Sequence, residues 1–175
     1  RYFRETGDML RKILPNAKVS DNFYITPGLD GWDLFELAKQ TDYMAMDIYA
    51  IGRWDNLMNN MDIARSAAYA WKKEFLMMEY HAGPNNWITK VFDWQLYTEA
   101  LLAWARESRA LQWYMWNSGK SGREEGIHGI LDLAGRPTER MTAVTRISSF
   151  AQRFAPLLKR AHVMPKVGVV VSQDS

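Results

Sequence analysis

The sequence contains no cysteine and no long hydrophobic run, and these two absences exclude several classes of protein. Without cysteine there is no disulfide framework and no cysteine-based zinc site. No apolar stretch approaches the ~20 residues that a transmembrane helix requires. Lysine and arginine never form runs longer than two, and the net charge is +2, so the sequence lacks the clustered positive charge of a nucleic-acid-binding surface. We therefore expect neither a membrane nor a nucleic acid as partner.

Signals for targeting and for common cofactor sites are also missing. The sequence shows no signal peptide and no Asn-x-Ser/Thr site. A cytoplasmic location is the default expectation, although the lack of cysteine leaves the compartment open. Residues 119–121 read Gly-Lys-Ser, but Tyr114 stands where a P-loop needs its first glycine. No Gly-x-Gly-x-x-Gly or Gly-x-Ser-x-Gly pattern occurs, and we expect no cofactor and no metal.

Apolar and aromatic side chains are plentiful. The 175 residues are 47% hydrophobic and 24% charged, which suits one globular unit with a substantial core. Eight Trp, eight Tyr and seven Phe are many for this length. Most of them belong to a core, but aromatic rings also stack against the apolar faces of sugars. The chain begins at Arg1 without a methionine and stops soon after a run of valines, so we expect both ends to be cut from a longer protein.

Predicted helices and strands alternate along the chain. Strands separated by helices pair in parallel through right-handed crossovers. Four such units fit half of a (β/α)₈ barrel, since a whole barrel takes ~250 residues. A small doubly wound sheet is the alternative, although no strand is followed by a glycine-rich phosphate turn. Hydrophobic periodicity predicts helices over residues 2–14, 30–39, 61–73 and 92–107 and after Pro137, and strands over 18–24, 43–49, 75–79, 110–116 and 166–172.

The strongest functional signal is Glu79, which ends the predicted strand 75–79. Barrels of parallel strands carry their active sites at the carboxyl ends of the strands, where a carboxylate can do chemistry. The loop that follows contains Trp87, which can fold over the carboxylate. The alternative interpretation is a surface acid paired with a lysine or arginine.

Four other residues are candidates for contacts with a ligand. Glu125 and His128 lie three positions apart and share a face if the segment forms a helical turn, which would suit hydrogen bonds to hydroxyl groups. Two ligands are too few for a structural metal site. The alternative is an exposed loop charge and a capping histidine. Tyr49 and Trp116 end apolar strands and point either into a cleft or into the core.

The order of these residues resembles that of glycoside hydrolase family 42 β-galactosidases. The matching features are Met-Glu at 78–79, Asn-Trp at 86–87, a strand ending in Trp116, Gly-Arg-Glu-Glu-Gly-Ile-His at 122–128 and Leu-Asp-Leu-Ala-Gly-Arg at 131–136. Upstream, Asp-Asn-Phe-Tyr at 21–24 and Met-Asp-Ile-Tyr-Ala at 46–50 resemble two earlier strands of the family. The similarity extends from about residue 5 to residue 172.

The resemblance implies a (β/α)₈ barrel followed by a trimerisation domain. Residues 1–163 would form the C-terminal half of the barrel, with strands five to eight. Residues 164–175 would begin the next domain, with 166–172 as its first strand. The implied partners are a β-galactoside substrate, the missing N-terminal half of the barrel and further copies of the protein in a homo-oligomer, a trimer by resemblance.

The resemblance also implies retaining hydrolysis of terminal β-D-galactosides by two carboxylates. Glu79 matches the nucleophile and Tyr49 the strand-six tyrosine beside it. Trp87 matches a wall of the galactose pocket, and Trp116 at the end of strand eight joins the substrate-binding residues. Glu125 and His128 match the pair that hydrogen-bonds the sugar hydroxyls.

The sequence departs from the family pattern in three places. Asn117 stands where many members have arginine, and Ala50 replaces a proline. The acid/base glutamate of the family lies in an Asn-Glu pair, which occurs nowhere here and would precede residue 1. Because both carboxylates are needed, we expect this chain alone to be inactive. A non-catalytic, barrel-derived module that binds sugar or assembles with partners is the alternative.

Overall fold

The fold is an alternating α/β arrangement built on one parallel sheet. The computed structural model describes residues 2–24, 33–49, 54–83, 91–122, 124–126 and 128–170. The four strands lie in the order β1-β2-β3-β4, and each pairs in parallel with the next, as predicted. The elements are α1 (Tyr2–Ile13), β1 (Phe23–Tyr24), α2 (Leu34–Gln40), β2 (Tyr43–Asp47), α3 (Trp54–Ala70), β3 (Glu74–His81), α4 (Asp93–Ala105), β4 (Ser108–Tyr114) and α5 (Arg140–Leu158).

Two helix starts differ from the prediction for local reasons. The sequence favoured Asp30 as the cap of α2, but Asp30 lies outside the described residues and the capping residue is Asp33. Its carboxylate accepts a hydrogen bond from the Glu36 amide at 3.0 Å. Helix α3 begins at Trp54 instead of near Met61. Leu57 is fully buried and anchors the first turn of this helix, but the polar residues around it weaken the helical periodicity of the segment in the sequence.

The helices cover one face of the sheet. In β3, Phe75 and Met77 lie in the core cluster that includes residues of α2, α3 and α4. In β4, Trp113 packs against the same cluster, whereas Ala110 and Gln112 on the opposite face are exposed. Helices on one face with an open opposite face fit a segment of a barrel, because a doubly wound sheet carries helices on both faces.

The first and last predicted strands differ from the structure. Only Phe23 and Tyr24 of the predicted strand 18–24 pair with β2, because the upstream backbone is held by side chains: Val19 donates to the Asp42 carboxylate at 2.7 Å. The predicted strand 166–172 is not formed over residues 166–170, where Val170 is 96% exposed. None of the described strands pairs with this segment, so its backbone amides make no hydrogen bonds of a sheet. Residues 171–172 lie outside the described part of the chain.

No helix within the described residues is both long and apolar enough to cross a bilayer.

Candidate active site

A β-bulge aims Glu79 into the site. Met46 pairs with Met77, but the next residue of β2, Asp47, pairs with Glu79, so β3 carries one extra residue at Met78. Strict alternation from Met77 would turn Glu79 toward the helices. The extra residue instead lets Met78 and Glu79 both line the open side, while Tyr80 returns to the core.

Both oxygens of the Glu79 carboxylate accept hydrogen bonds. The Tyr49 hydroxyl donates to Oε2 at 2.6 Å, and the Asn22 side-chain amide donates to Oε1 at 3.1 Å. Hydrogen bonds to a charged acceptor are roughly twice as strong as those between neutral groups. The Glu79 carboxylate is therefore oriented by two neutral donors, one on each oxygen.

A second carboxyl group, that of Asp47, lies beside Glu79. Asn22 donates to its Oδ2 at 2.8 Å. Burial, followed by the charge of Glu79, raises the pKa of Asp47 to about 7. Burial and the bond to Glu79 also raise the pKa of Tyr49, so its hydroxyl keeps the proton that it donates.

The site opens onto a cavity of about 480 Å³. Pockets for small ligands are typically ~300–1,000 Å³, so this cavity has room for a sugar ring. No group of three or more His, Asp or Glu side chains that could hold a metal ion occurs within the ranges that the structure describes. The lining residues come from the segment that precedes β1, from β3 and from β4: Ser20, Asp21, Asn22, Met78, Glu79, Gln112, Trp113 and Tyr114.

The other predicted contact residues have different environments. His128 is buried, and its ring centroid lies 5.6 Å from that of Tyr114; burial lowers the pKa of His128. Glu125 is exposed. Its neighbour Glu124, and not Glu125, accepts the hydrogen bond that the Tyr114 hydroxyl donates. Trp116 lies two residues beyond the end of β4 and is 61% exposed. Trp87 lies outside the described residues.

Sequence reasoning from the residues missed four members of the site. Asn22 donates to both Glu79 and Asp47. Tyr114 and Glu124 form a hydrogen-bonded pair beside His128. Asp47 did carry a signal, since it is the one acid inside the apolar run at 44–49. Asn22 and Glu124 carried none, because neither contact is local in sequence.

If Glu79 is the nucleophile that the family resemblance implies, Tyr49→Phe should lower kcat/KM of the intact protein about 10- to 100-fold. A hydrogen bond to a charged group contributes about 1.5–3 kcal/mol, and 1.4 kcal/mol corresponds to tenfold. Steady-state kinetics with an aryl β-galactoside measure the change. Tyr69→Phe is the matched control, because its hydroxyl donates to Glu107 at 2.8 Å at the amino end of β4. An equal loss in both variants would contradict a role for Tyr49 at the site.

The fold and the carboxylate site together define a class of protein. Parallel strands joined by helices, with helices on one face and a carboxylate at the carboxyl ends of the strands, form part of a (β/α)₈ barrel. The sequence profile of glycoside hydrolase family 42, described as β-galactosidase, matches residues 1–152. The chain belongs to this family. A comparison with curated protein sequences finds no match.

Solved structures share the fold. The β-galactosidase of the psychrophilic Marinomonas ef1 superposes with a TM-score of 0.77 at 15% identity over 90% of this chain and 27% of its own. The β-galactosidase of the Antarctic haloarchaeon Halorubrum lacusprofundi superposes with a TM-score of 0.73 at 23% identity, over 85% of this chain and 25% of its own. A catalytic mutant of a family 42 β-galactosidase from G. stearothermophilus superposes with a TM-score of 0.68 at 19% identity, over 86% of this chain and 24% of its own. The chain thus spans about a quarter of the length of these structures.

Proposed function

We propose that this chain supplies the nucleophile of a retaining glycoside hydrolase that cleaves terminal β-D-galactosides. The observation that carries the proposal is the Glu79 carboxylate, held on both oxygens by Tyr49 and Asn22 at the carboxyl end of β3. Membership of family 42 supports the reaction class. The names of the solved relatives, all β-galactosidases, support the substrate.

The chemistry assigned to Glu79 is a double displacement. One oxygen of its carboxylate attacks the anomeric carbon, and the bond to the leaving oxygen breaks as a general acid protonates that oxygen. The resulting galactosyl ester of Glu79 is then attacked by water. The former acid takes the proton of the water, and Glu79 leaves as a carboxylate with the β configuration retained.

We assign the acid/base residue to a part of the protein outside this chain. A retaining enzyme holds its two carboxyl groups ~5–5.5 Å apart, and the Asn-Glu pair of the family is missing from this sequence. The open face of the sheet fits the approach of the other barrel strands. The chain by itself would then hydrolyse no galactoside, and residues 164–175 would lead into the following domain of a homo-oligomer.

The galactose pocket is proposed to include the remaining predicted residues. His128, whose lowered pKa favours the neutral ring, would hydrogen-bond a sugar hydroxyl. Glu125 would reach the sugar from its exposed turn, and Trp87 and Trp116 would stack against its apolar face.

A mechanism-based label tests the proposal. A 2-deoxy-2-fluoro-β-galactoside slows hydrolysis of the glycosyl ester, so the intact enzyme should retain one sugar. Mass spectrometry of its peptides should place that sugar on Glu79. A label on another residue, with activity surviving in Glu79→Gln, would overturn the assignment. Binding of galactose without label or hydrolysis would favour the non-catalytic module.

A further inference from the structure

Asp47 is a buried carboxyl group to which the proposed chemistry gives no role. It is only 8% exposed, and the pairing of β2 with β3 makes it the cross-strand neighbour of Glu79. Its Oδ2 accepts a hydrogen bond from Asn22, whereas its Oδ1 is buried and finds no hydrogen-bond partner among the described residues. A buried acid at such a place calls for a functional explanation, because burying a charge is costly unless it is paired.

Asn22 links the two carboxyl groups. Its side-chain nitrogen carries two hydrogens, and the nitrogen lies 2.8 Å from Asp47 Oδ2 and 3.1 Å from Glu79 Oε1. The bond to Asp47 fixes the rotation of the amide, so the second hydrogen stays directed at Glu79. Since Tyr49 holds the other oxygen, the plane of the Glu79 carboxylate depends on Asp47 through Asn22.

We propose that Asp47 is a positioning residue for Glu79, acting through the Asn22 amide. The inference rests on the proposed function, which makes Glu79 the nucleophile. Asp47 does not touch the substrate in this arrangement; it holds the donor that orients the attacking group.

The groups that face Asp47 favour its neutral form. Burial raises its pKa most, the Glu79 carboxylate comes second and Asp21 adds a further negative charge, while the Asn22 bond acts in the opposite direction. Two carboxyl groups that share one site do not readily ionise together. The pKa of Asp47 is raised to about 7, so below that pH Asp47 carries a proton. A neutral Asp47 still accepts from Asn22 through its carbonyl oxygen, as a carboxamide would.

Four variants of the intact enzyme test the positioning role. We expect Asp47→Ala to lower kcat about tenfold with KM within about threefold, the size of one lost hydrogen bond to the reacting group. Asp47→Asn should stay within about threefold of wild type, since its carbonyl oxygen accepts from Asn22. Asn22→Ala should lower kcat at least as much as Asp47→Ala. The double variant Asn22→Ala/Asp47→Ala should be no slower than Asn22→Ala, because Asp47 acts through Asn22.

An infrared titration gives a second readout that does not need activity. The band of a protonated carboxyl should disappear as the pH rises through about 7, be absent in Asp47→Asn, and move to lower pH in Glu79→Gln, where the neighbouring charge is gone. If Asp47→Ala does not fold, the isosteric Asp47→Asn and Asn22→Ala keep the kinetic test decisive.

Several results would overturn the inference. These are wild-type kcat in Asp47→Ala, an equal loss in the folded Asp47→Asn, or losses that add in the double variant. If any of these results is obtained while the fluorosugar label is still found on Glu79, only the positioning role of Asp47 is overturned. A fluorosugar on another residue would instead remove the proposed function, whatever the Asp47 variants do.

Discussion

Replacing Glu79 with glutamine lowers kcat/KM for an aryl β-galactoside in the intact enzyme by an expected factor of at least about 10⁴. In the proposed mechanism the ester intermediate cannot form, because a carboxamide is a poor nucleophile, and removal of one member of a catalytic unit costs on the order of 10⁴–10⁶ in kcat. At 1.36 kcal/mol for each tenfold change, this corresponds to more than about 5 kcal/mol of transition-state stabilisation. Steady-state kinetics measure the loss.

The glutamine variant should fold normally, because its carbonyl oxygen still accepts from either Tyr49 or Asn22. Glu74→Gln is the matched control, since Glu74 is an exposed acid at the opposite end of the same strand. We expect wild-type kinetics from the control. A loss of less than about tenfold in the folded Glu79→Gln enzyme would assign the attack to another residue.

His81→Leu should be the most destabilising of the substitutions considered for β3. His81 Nε2 lies 2.9 Å from Glu99 Oε2, and both side chains are only 1% exposed. The two side chains are in close contact, although the angle between them does not meet hydrogen-bond geometry. Removing one of them leaves the other polar group buried without its neighbour, which costs about 1–3 kcal/mol. Thermal unfolding of the intact protein, followed by scanning calorimetry, should show the transition of this region at lower temperature.

Replacing both partners should restore most of the lost stability. In the double variant His81→Leu/Glu99→Leu neither polar side chain remains buried, and apolar replacements of a buried pair are often neutral or stabilising. The matched control is Arg136→Leu, which breaks the exposed ion pair with Asp132 on the loop before α5. We expect no measurable shift from the control. Additive losses from His81→Leu and Glu99→Leu would contradict a coupled pair.

The location of this pair connects stability to the proposed chemistry. His81 follows Glu79 by two residues, its ring stacks on Tyr80 at 5.2 Å, and the Tyr80 hydroxyl donates to Leu96 of α4 at 2.9 Å. These contacts hold the end of β3 against α4. A variant that loosens them would therefore also displace the carboxylate of Glu79.

The fold class and the main candidate could be predicted from the sequence because both depend on local patterns. Helical and strand periodicity describes how a segment buries one face, and this information lies within the segment. Leu57 shows the limit of periodicity as a predictor. A single buried residue in a polar stretch produces too weak a helical pattern to predict that α3 begins at Trp54. The segment 166–172 shows another limit, because a valine-rich run indicates a strand but not a neighbour to pair with.

The sequence by itself determined the alternation of helices and strands, the parallel sheet, and the location of Glu79 and Tyr49 close to the carboxyl ends of two strands. Only the tertiary structure decided that Glu79 faces the cavity, because the bulge at Met78 reverses the side that strict alternation predicts. It alone brought Asn22 to Glu79 across 57 positions and to Asp47 across 25. Such contacts depend on strand register, a relation between distant segments that no local periodicity contains.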